Sequence, residues 1–135
     1  METKTIVQSV SFEGVKPDYI YQMLTDEDIQ SEFTDSPCKI EAKEGGSFSC
    51  YGDGLIGEFV ELKPPERIVM KWQADSKKWP KDHYSSLTFT VSEEDGNTLL
   101  EMVHEDVPEE EYDSIDNGWR RYYWEPMKEY IGRHR

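Results

Sequence analysis

At 135 residues, with 29 acidic against 15 basic side chains and a formal charge of -14, the chain has the length of one domain spanning 1-135. A domain of that size buries roughly two thirds of its surface without metal or disulfide support. The acidic balance argues against nucleic acid and anionic membranes as partners, since both would repel it. No apolar run follows Met1 and no apolar window is long enough to span a bilayer, so neither a signal peptide nor a membrane anchor is expected, and the cytosol is the default location.

In chain order, residues 3 to 12 alternate, with Ile6, Gln8 and Val10 on one face and Val7, Ser9 and Ser11 on the other, which predicts a first strand ended by Gly14. Pro17 sits where a helix starts, and Val15, Ile20, Met23 and Leu24 form its stripe as far as Thr25. Asp26 can cap a second short helix through Ile29 and Phe33.

From Lys39 to Glu105 the period changes to two. Strands are predicted at about 38 to 43, 46 to 51, 55 to 62, 67 to 74, 83 to 92 and 98 to 105, separated by Glu44-Gly45-Gly46, Gly52-Asp53-Gly54, Pro64-Pro65 and Asp95-Gly96-Asn97. Short connections between successive strands mean an antiparallel meander. Its apolar face carries Ile68, Met70 and Trp72, then Leu87, Phe89 and Val91, then Leu100 and Met102, and His104 shares their parity. A histidine there is expected to face the helix that covers the sheet, satisfied by a tyrosine hydroxyl or the backbone. Cys38 and Cys50 are too few and too widely spaced for a zinc site. They flank the Glu44 to Gly46 turn within a residue or two of register, so a bridge is geometrically open to them. In a cytosolic chain two reduced, partly buried thiols are the expectation.

The stretch from Pro108 to Arg135 has the strongest helical signal. Tyr112, Ile115, Trp119, Tyr122, Tyr123, Pro126, Met127, Tyr130 and Ile131 recur in threes and fours, opposite Arg120, Arg121, Glu125, Lys128 and Glu129. Pro108 and the acids at 109 to 111 suit the start, and Gly132, Arg133, His134 and Arg135 suit the end. Such a helix would run roughly 35 Å and could cover the whole sheet. Pro126 should bend it. Gly118, before Trp119, should let helix and sheet approach closely.

Tests for chemistry give little. There is no Gly-x-Ser-x-Gly nucleophile motif, no glycine-rich phosphate loop opening a helix, and no pair of histidines at ligand spacing, so neither an enzyme nor a cofactor is expected. The interface-like feature is the connector from Lys71 to Lys81, where Lys77, Lys78 and Lys81 surround Trp79 and Pro80. Either this loop presents Trp79 to a partner, or Trp79 tucks back onto the sheet.

These stretches together resemble the activator of heat-shock protein 90 ATPase family, within the START-like helix-grip superfamily. The likeness is carried by Gly45-Gly46-x-Phe48, Gly54-x-Ile56-Gly57-Glu58-Phe59, Pro64-Pro65-x-Arg67-Ile68, Lys71-Trp72, Trp79-Pro80-x-x-His83-Tyr84-Ser85, His104-x-x-Val107-Pro108 and Gly118-Trp119-x-x-Tyr122-Tyr123-Trp124-x-x-Met127-Lys128. It is nearest to the C-terminal domain of the eukaryotic co-chaperone. The resemblance implies an α+β helix-grip fold: a curved antiparallel sheet around a long C-terminal helix, in the order strand, two helices, six strands, helix. It also implies a monomeric, non-enzymatic co-chaperone that binds heat-shock protein 90 and favours the closed arrangement in which that protein hydrolyses ATP. Lys77, Lys78, Trp79 and Lys81 are the expected contact residues. The family's full activators carry a separate N-terminal domain that contacts the chaperone, which this sequence is expected to lack. Small single-domain relatives look like carriers of apolar ligands held between sheet and helix, for which Trp72, Phe89, Met102, His104, Trp119, Tyr123 and Met127 would be the lining.

Overall fold

A computed structural model of the chain describes residues 1–134. Strand β1 (Thr3–Phe12) is followed by helices α1 (Pro17–Thr25) and α2 (Glu27–Thr34). Then come β2 (Lys39–Ile40), β3 (Ser47–Cys50), β4 (Leu55–Lys63), β5 (Arg67–Ala74), β6 (Ser85–Glu94) and β7 (Asn97–Pro108). The chain ends in a composite helix: a 3-10 turn at Glu109–Glu111, α3 (Tyr112–Trp119), a π-helical segment at Arg120–Trp124, and α4 (Glu125–Arg133).

All strands join one antiparallel sheet of 7 strands in the order β1-β7-β6-β5-β4-β3-β2. The meander expected from the short turns is present, and β1 closes its far side by pairing with β7, Gln8 opposite Met102 and Val10 opposite Leu100. Registers Met70 to Leu87 and Leu87 to His104 place these three side chains in one row across the concave face. Ile68, Trp72, Phe89, Val91, Leu100 and Met102 are buried there as the alternation predicted. Together with the α1-α2 order and the terminal helix this is the α+β helix-grip architecture.

Local chemistry explains the turns and caps. Pro17 stands in the first turn of α1, where its missing amide hydrogen costs no helix bond, and the Asp26 side chain accepts from the Ile29 amide at 3.0 Å to cap α2. At the β2–β3 turn Gly45 has φ +83, a conformation that strains other residues, and a Cβ on Gly46 would lie 2.0 Å from the Glu41 carbonyl oxygen, so Gly46 admits no side chain without moving backbone. The same turn leans on β4 through Gly45 N–H to Phe59 O at 2.8 Å and Phe59 N–H to Gly46 O at 2.9 Å. This sideways bonding takes the chain out of the ladder after Ile40, which shortens the strand expected at 38 to 43.

Two further expectations are corrected. Cys38 and Cys50 are bonded in a disulfide rather than held as thiols, because pairing of Lys39 with Ser49 sets them directly opposite, Cα to Cα 4.3 Å apart. Pro108 both ends β7, where Thr3 of β1 pairs with it and the Glu109 amide reaches Glu2 O at 3.0 Å, and caps the composite helix, whose first turn holds the acids Glu109, Glu110 and Glu111 as expected. Gly132 lies within α4, which runs to Arg133, and Arg135, expected at the helix end, lies outside the described residues.

The bend expected at Pro126 takes a definite form. Proline offers no donor to the carbonyl of Tyr122, and just before it the helix widens, with the Glu125 amide bonded to Arg120 O. The Tyr51 hydroxyl donates to the carbonyl oxygen of Tyr122 at 3.4 Å, supplying from the β3–β4 loop the partner that Pro126 withholds. Widening also changes the phase of the stripe. Trp124 turns inward and stacks on Trp119, five residues earlier, at 5.5 Å and 18°, whereas Tyr122, expected in the stripe, is 48% exposed.

Candidate functional site

Two regions lie along the seam between sheet and composite helix, and Trp119 belongs to both. The first is closed. His104 on β7 is 0% exposed, at 4.8 Å and nearly perpendicular to the Trp72 ring. The Trp119 indole N–H donates to His104 Nδ1 at 3.1 Å, and His104 Nε2 lies 2.8 Å from Ser85 Oγ. An indole nitrogen can only donate, so Nδ1 carries no proton and the neutral ring holds its hydrogen on Nε2. The bonds then run one way: Trp119 to His104, His104 to Ser85, and Ser85 Oγ to the Trp72 carbonyl at 2.8 Å. Every polar atom of the imidazole is satisfied, and burial holds its pKa well below the ordinary histidine range, at about 3. A ring this basic-poor and enclosed fixes structure. It is no general base, since nothing can reach it.

The polar partners are a correction to the expected tyrosine hydroxyl or backbone. They are an indole from the helix and a serine from the neighbouring strand. A parallel tie joins β1 to the helix: Gln8 accepts from the Trp124 indole at 2.7 Å and donates to Asp116 Oδ1 at 2.8 Å. Gln8 was legible as an inward-facing residue by parity alone, but its partners were not.

The second region is open. A groove of about 340 Å³ is lined by Tyr51, Gly54 and Leu55 on the sheet side, by Ser114, Ile115, Gly118 and Tyr122 on the helix side, and by Trp72, Trp119 and Tyr123 at its floor. Of the residues expected to line a ligand pocket, Trp72, Trp119 and Tyr123 do so. Phe89, Met102, His104 and Met127 are instead buried and do not line this groove. Gly118 also differs from expectation. A Cβ there would meet only the Tyr122 ring, at 3.7 Å, so this glycine widens the groove and does not draw helix and sheet together. Tyr51, Leu55, Ile115 and Tyr122 were missed as lining, because the Tyr51 backbone turns left-handed at φ 55 and the π segment rephases Tyr122, neither of which shows in a residue pattern.

The basic connector borders one end of this groove. The Asp75 amide donates to Gly54 O at 2.8 Å, and Ser76 Oγ donates to the buried carboxylate of Glu111. Trp79 is 4% exposed, its ring edge-on to Trp72 at 5.6 Å and its indole N–H donating to His83 O at 2.8 Å. Trp79 therefore cannot present its ring to a partner; of the two arrangements, the tucked one is realised. The loop is pinned further by Gln73 Nε2 to His83 O at 3.1 Å and by His83 Nε2 against Asp106 O at 2.6 Å. Lys77, Lys78 and Lys81 remain exposed, and none forms an ion pair among the described residues.

No cluster of His, Cys, Asp or Glu among the described residues converges to hold a metal ion, and no described helix is long and apolar enough to cross a membrane. With the fold and seam in view, comparison with known proteins is specific. The family described as Activator of Hsp90 ATPase homolog 1-like protein matches residues 14–132. The human activator of 90 kDa heat shock protein ATPase homolog 1 is 35% identical over 116 residues, 86% of this chain and 34% of its own length. The Dictyostelium discoideum homologue is 33% identical, over 93% of this chain and 32% of its own. This chain thus spans about a third of the length of the curated relatives it matches. The crystal structure of an HSP90 activator from Plasmodium falciparum superposes with a TM-score of 0.87 at 23% identity, covering 95% of this chain and 96% of that one. CalU16 from Micromonospora echinospora superposes at 0.79 with 22% identity, over 96% of this chain and 76% of that one, so the fold is shared well beyond the activators. By the extent of the family match and the identity to the human activator, this chain belongs to the Activator of Hsp90 ATPase homolog 1-like family.

Proposed function

We propose that the chain is a cytosolic, non-enzymatic co-chaperone, acting as a monomer, that binds heat-shock protein 90 and modulates its ATPase. The observation that carries this reading is the closed end of the seam. Trp119, His104 and Ser85 satisfy one another, and Phe89, Met102 and Met127 fill the space around them, so the molecule's chemistry lies on its outer surface. Family membership supports the choice of partner, since the relatives at 35% and 33% identity are named as activators of that ATPase. A co-chaperone can raise turnover only by binding the hydrolysing conformation more tightly than the resting one. Lys77, Lys78 and Lys81, held outward on a pinned loop, are the proposed contact residues, with Trp79 acting beneath them as the anchor of the loop.

The test is ATP turnover by heat-shock protein 90 with and without this protein, at low and high salt. Stimulation that falls at high salt is expected, because exposed ion pairs are screened. Charge reversal of Lys77, Lys78 and Lys81 to Glu should weaken binding. Unchanged turnover together with no measurable binding would remove the proposal.

A second reading is favoured by the groove itself: a carrier for a small apolar ligand, held against Trp72, Trp119 and Tyr123. Native mass spectrometry of the purified chain would reveal such a ligand as added mass, and its absence from protein purified without detergent would count against a carrier.

A further inference from the structure

The open groove and the basic loop are one continuous surface. Gly54 lines the groove and accepts the Asp75 amide, and Ser76 binds Glu111 one turn before Ser114 and Ile115. Lys77 and Lys78 thus stand at the end of the groove where α3 begins. At the other end the Arg121 guanidinium lies 5.5 Å over the ring of Tyr122, a lining residue, and forms no ion pair among the described residues. Asp116, an acid on the intervening turn, is engaged by Gln8 and Arg120. Lys77, Lys78 and Arg121 thus border the aromatic groove without ion pairs among the described residues, and the exposed acids Asp53, Asp75 and Asp113 stand near them, also without one.

We propose that this groove receives a bulky apolar side chain carried on an acidic segment of a protein partner, with Lys77 and Lys78 at one end and Arg121 at the other meeting the flanking carboxylates. The inference rests on the co-chaperone reading and makes that partner segment part of heat-shock protein 90. Both halves have a physical basis. Apolar walls of aromatic side chains reward burial of one large anchor, and interface energy concentrates in such anchored, desolvated pockets. Cations outside the pocket act over a longer range, setting orientation and association rate, and leave the anchor to set residence time. A groove of about 340 Å³ is at the low end for a free ligand and ample for a single leucine, phenylalanine or tryptophan side chain.

Gly118 makes the idea testable without disturbing the core. Gly118 lines the groove, and within 4 Å a Cβ at that position meets only the Tyr122 ring, at 3.7 Å. Affinity of the full chain for heat-shock protein 90 is measured by calorimetry at two salt concentrations for the wild type, Gly118→Ala, Gly118→Leu and the double variant Lys77→Glu with Lys78→Glu. Gly118→Leu, which plugs the groove, should lose on the order of ten-fold or more in affinity while keeping its salt dependence. The lysine variant should weaken binding and flatten the salt dependence. Circular dichroism reports whether Gly118→Leu is folded. Should it not be, amide shifts of the wild type decide: titration with heat-shock protein 90 should move Gly54 and Gly118 and leave Val60, exposed on β4, in place. Wild-type binding with an unaffected, folded Gly118→Leu, or with Gly54 and Gly118 unmoved, overturns the groove assignment alone. Absence of wild-type binding overturns the co-chaperone reading and this inference with it. A co-purifying small molecule displaced by Gly118→Leu, with chaperone affinity unchanged, would give the groove to a free ligand and overturn the inference too.

Discussion

The two ends of the seam share Trp119 yet solve opposite problems. At the His104 end a polar ring is enclosed and every nitrogen is bonded, while at the Gly118 end aromatic rings are left partly uncovered beside unpaired cations. The difference begins in two residues of the helix. Gly118 withholds a side chain from the groove, and Pro126 withholds a donor from Tyr122, so the π segment before it turns Trp124 into the core and Tyr122 out. A helix of regular pitch with alanine at both positions would cover the sheet more evenly and present less of a cleft. Closed packing and open surface are thus produced by neighbouring turns of one element.

That contrast can be broken from the closed end first. Trp119→Ala should cost about 3–5 kcal/mol, since it removes a buried ring and leaves Nδ1 of His104 without a donor; urea unfolding would measure it. A cost near that of a surface substitution would mean that the network does not hold the seam.

Acid should open the same end. His104 has a folded pKa of about 3 against an ordinary 6.5, so between those values the unfolded chain binds the additional proton. Its contribution to stability is complete above pH 6.5 and falls as pH drops toward 3, by about 1.4 kcal/mol per unit. Carboxylates add their own slope, so the measurement is the difference from His104→Gln, whose amide cannot titrate. Identical profiles for the two proteins would show that the imidazole is not held neutral.

Reduction of the Cys38–Cys50 bond, which closes a loop of sequence separation 12, should lower stability by about 3 kcal/mol in the chain-entropy estimate. This bond lies on the β2–β3 side of the sheet, four strands from β7, so the acid slope of His104 should survive reduction in folded protein; Cys50 precedes Tyr51 and pairs with Leu55, so the groove wall is the part that reduction should loosen. Thermal melts with and without reductant would check the first part.

The open end should respond with small changes, one of them favourable. Gly118→Ala should stabilise by up to about 1 kcal/mol, because alanine suits a helix interior and its methyl meets only the Tyr122 ring at 3.7 Å. A loss of stability there would mean that the groove is tighter than its lining indicates. Tyr51→Phe removes one long hydrogen bond to Tyr122 O, at 3.4 Å, and should cost about 0.5 kcal/mol or less. Its effect is best read as faster amide exchange around Arg120–Trp124.

Most of the architecture was written in local pattern. The alternation of Ile68, Met70 and Trp72 against Leu87, Phe89 and Val91 named the buried face of the sheet, because a strand's side chains have only two directions to point. Pro17 and Asp26 placed two helix starts, because caps and prolines act within a single turn. The family itself was legible, since its motifs run through nearly the whole chain. The candidate surface was legible in part: Lys77, Lys78 and Lys81 are exposed, but the loop's aromatic residue is not.

What the fold alone decided depends on contacts between residues far apart in the chain. Whether Trp79 faces water turns on a ring of β5 and a carbonyl at His83, and whether Cys38 meets Cys50 turns on the register of two short strands. The tautomer of His104 was set by Trp119 and Ser85, and the open groove by the π segment and the left-handed backbone at Tyr51. Sequence periodicity fixes the face on which a side chain stands. Only packing in three dimensions determines what stands opposite it, and therefore whether that face is core or contact.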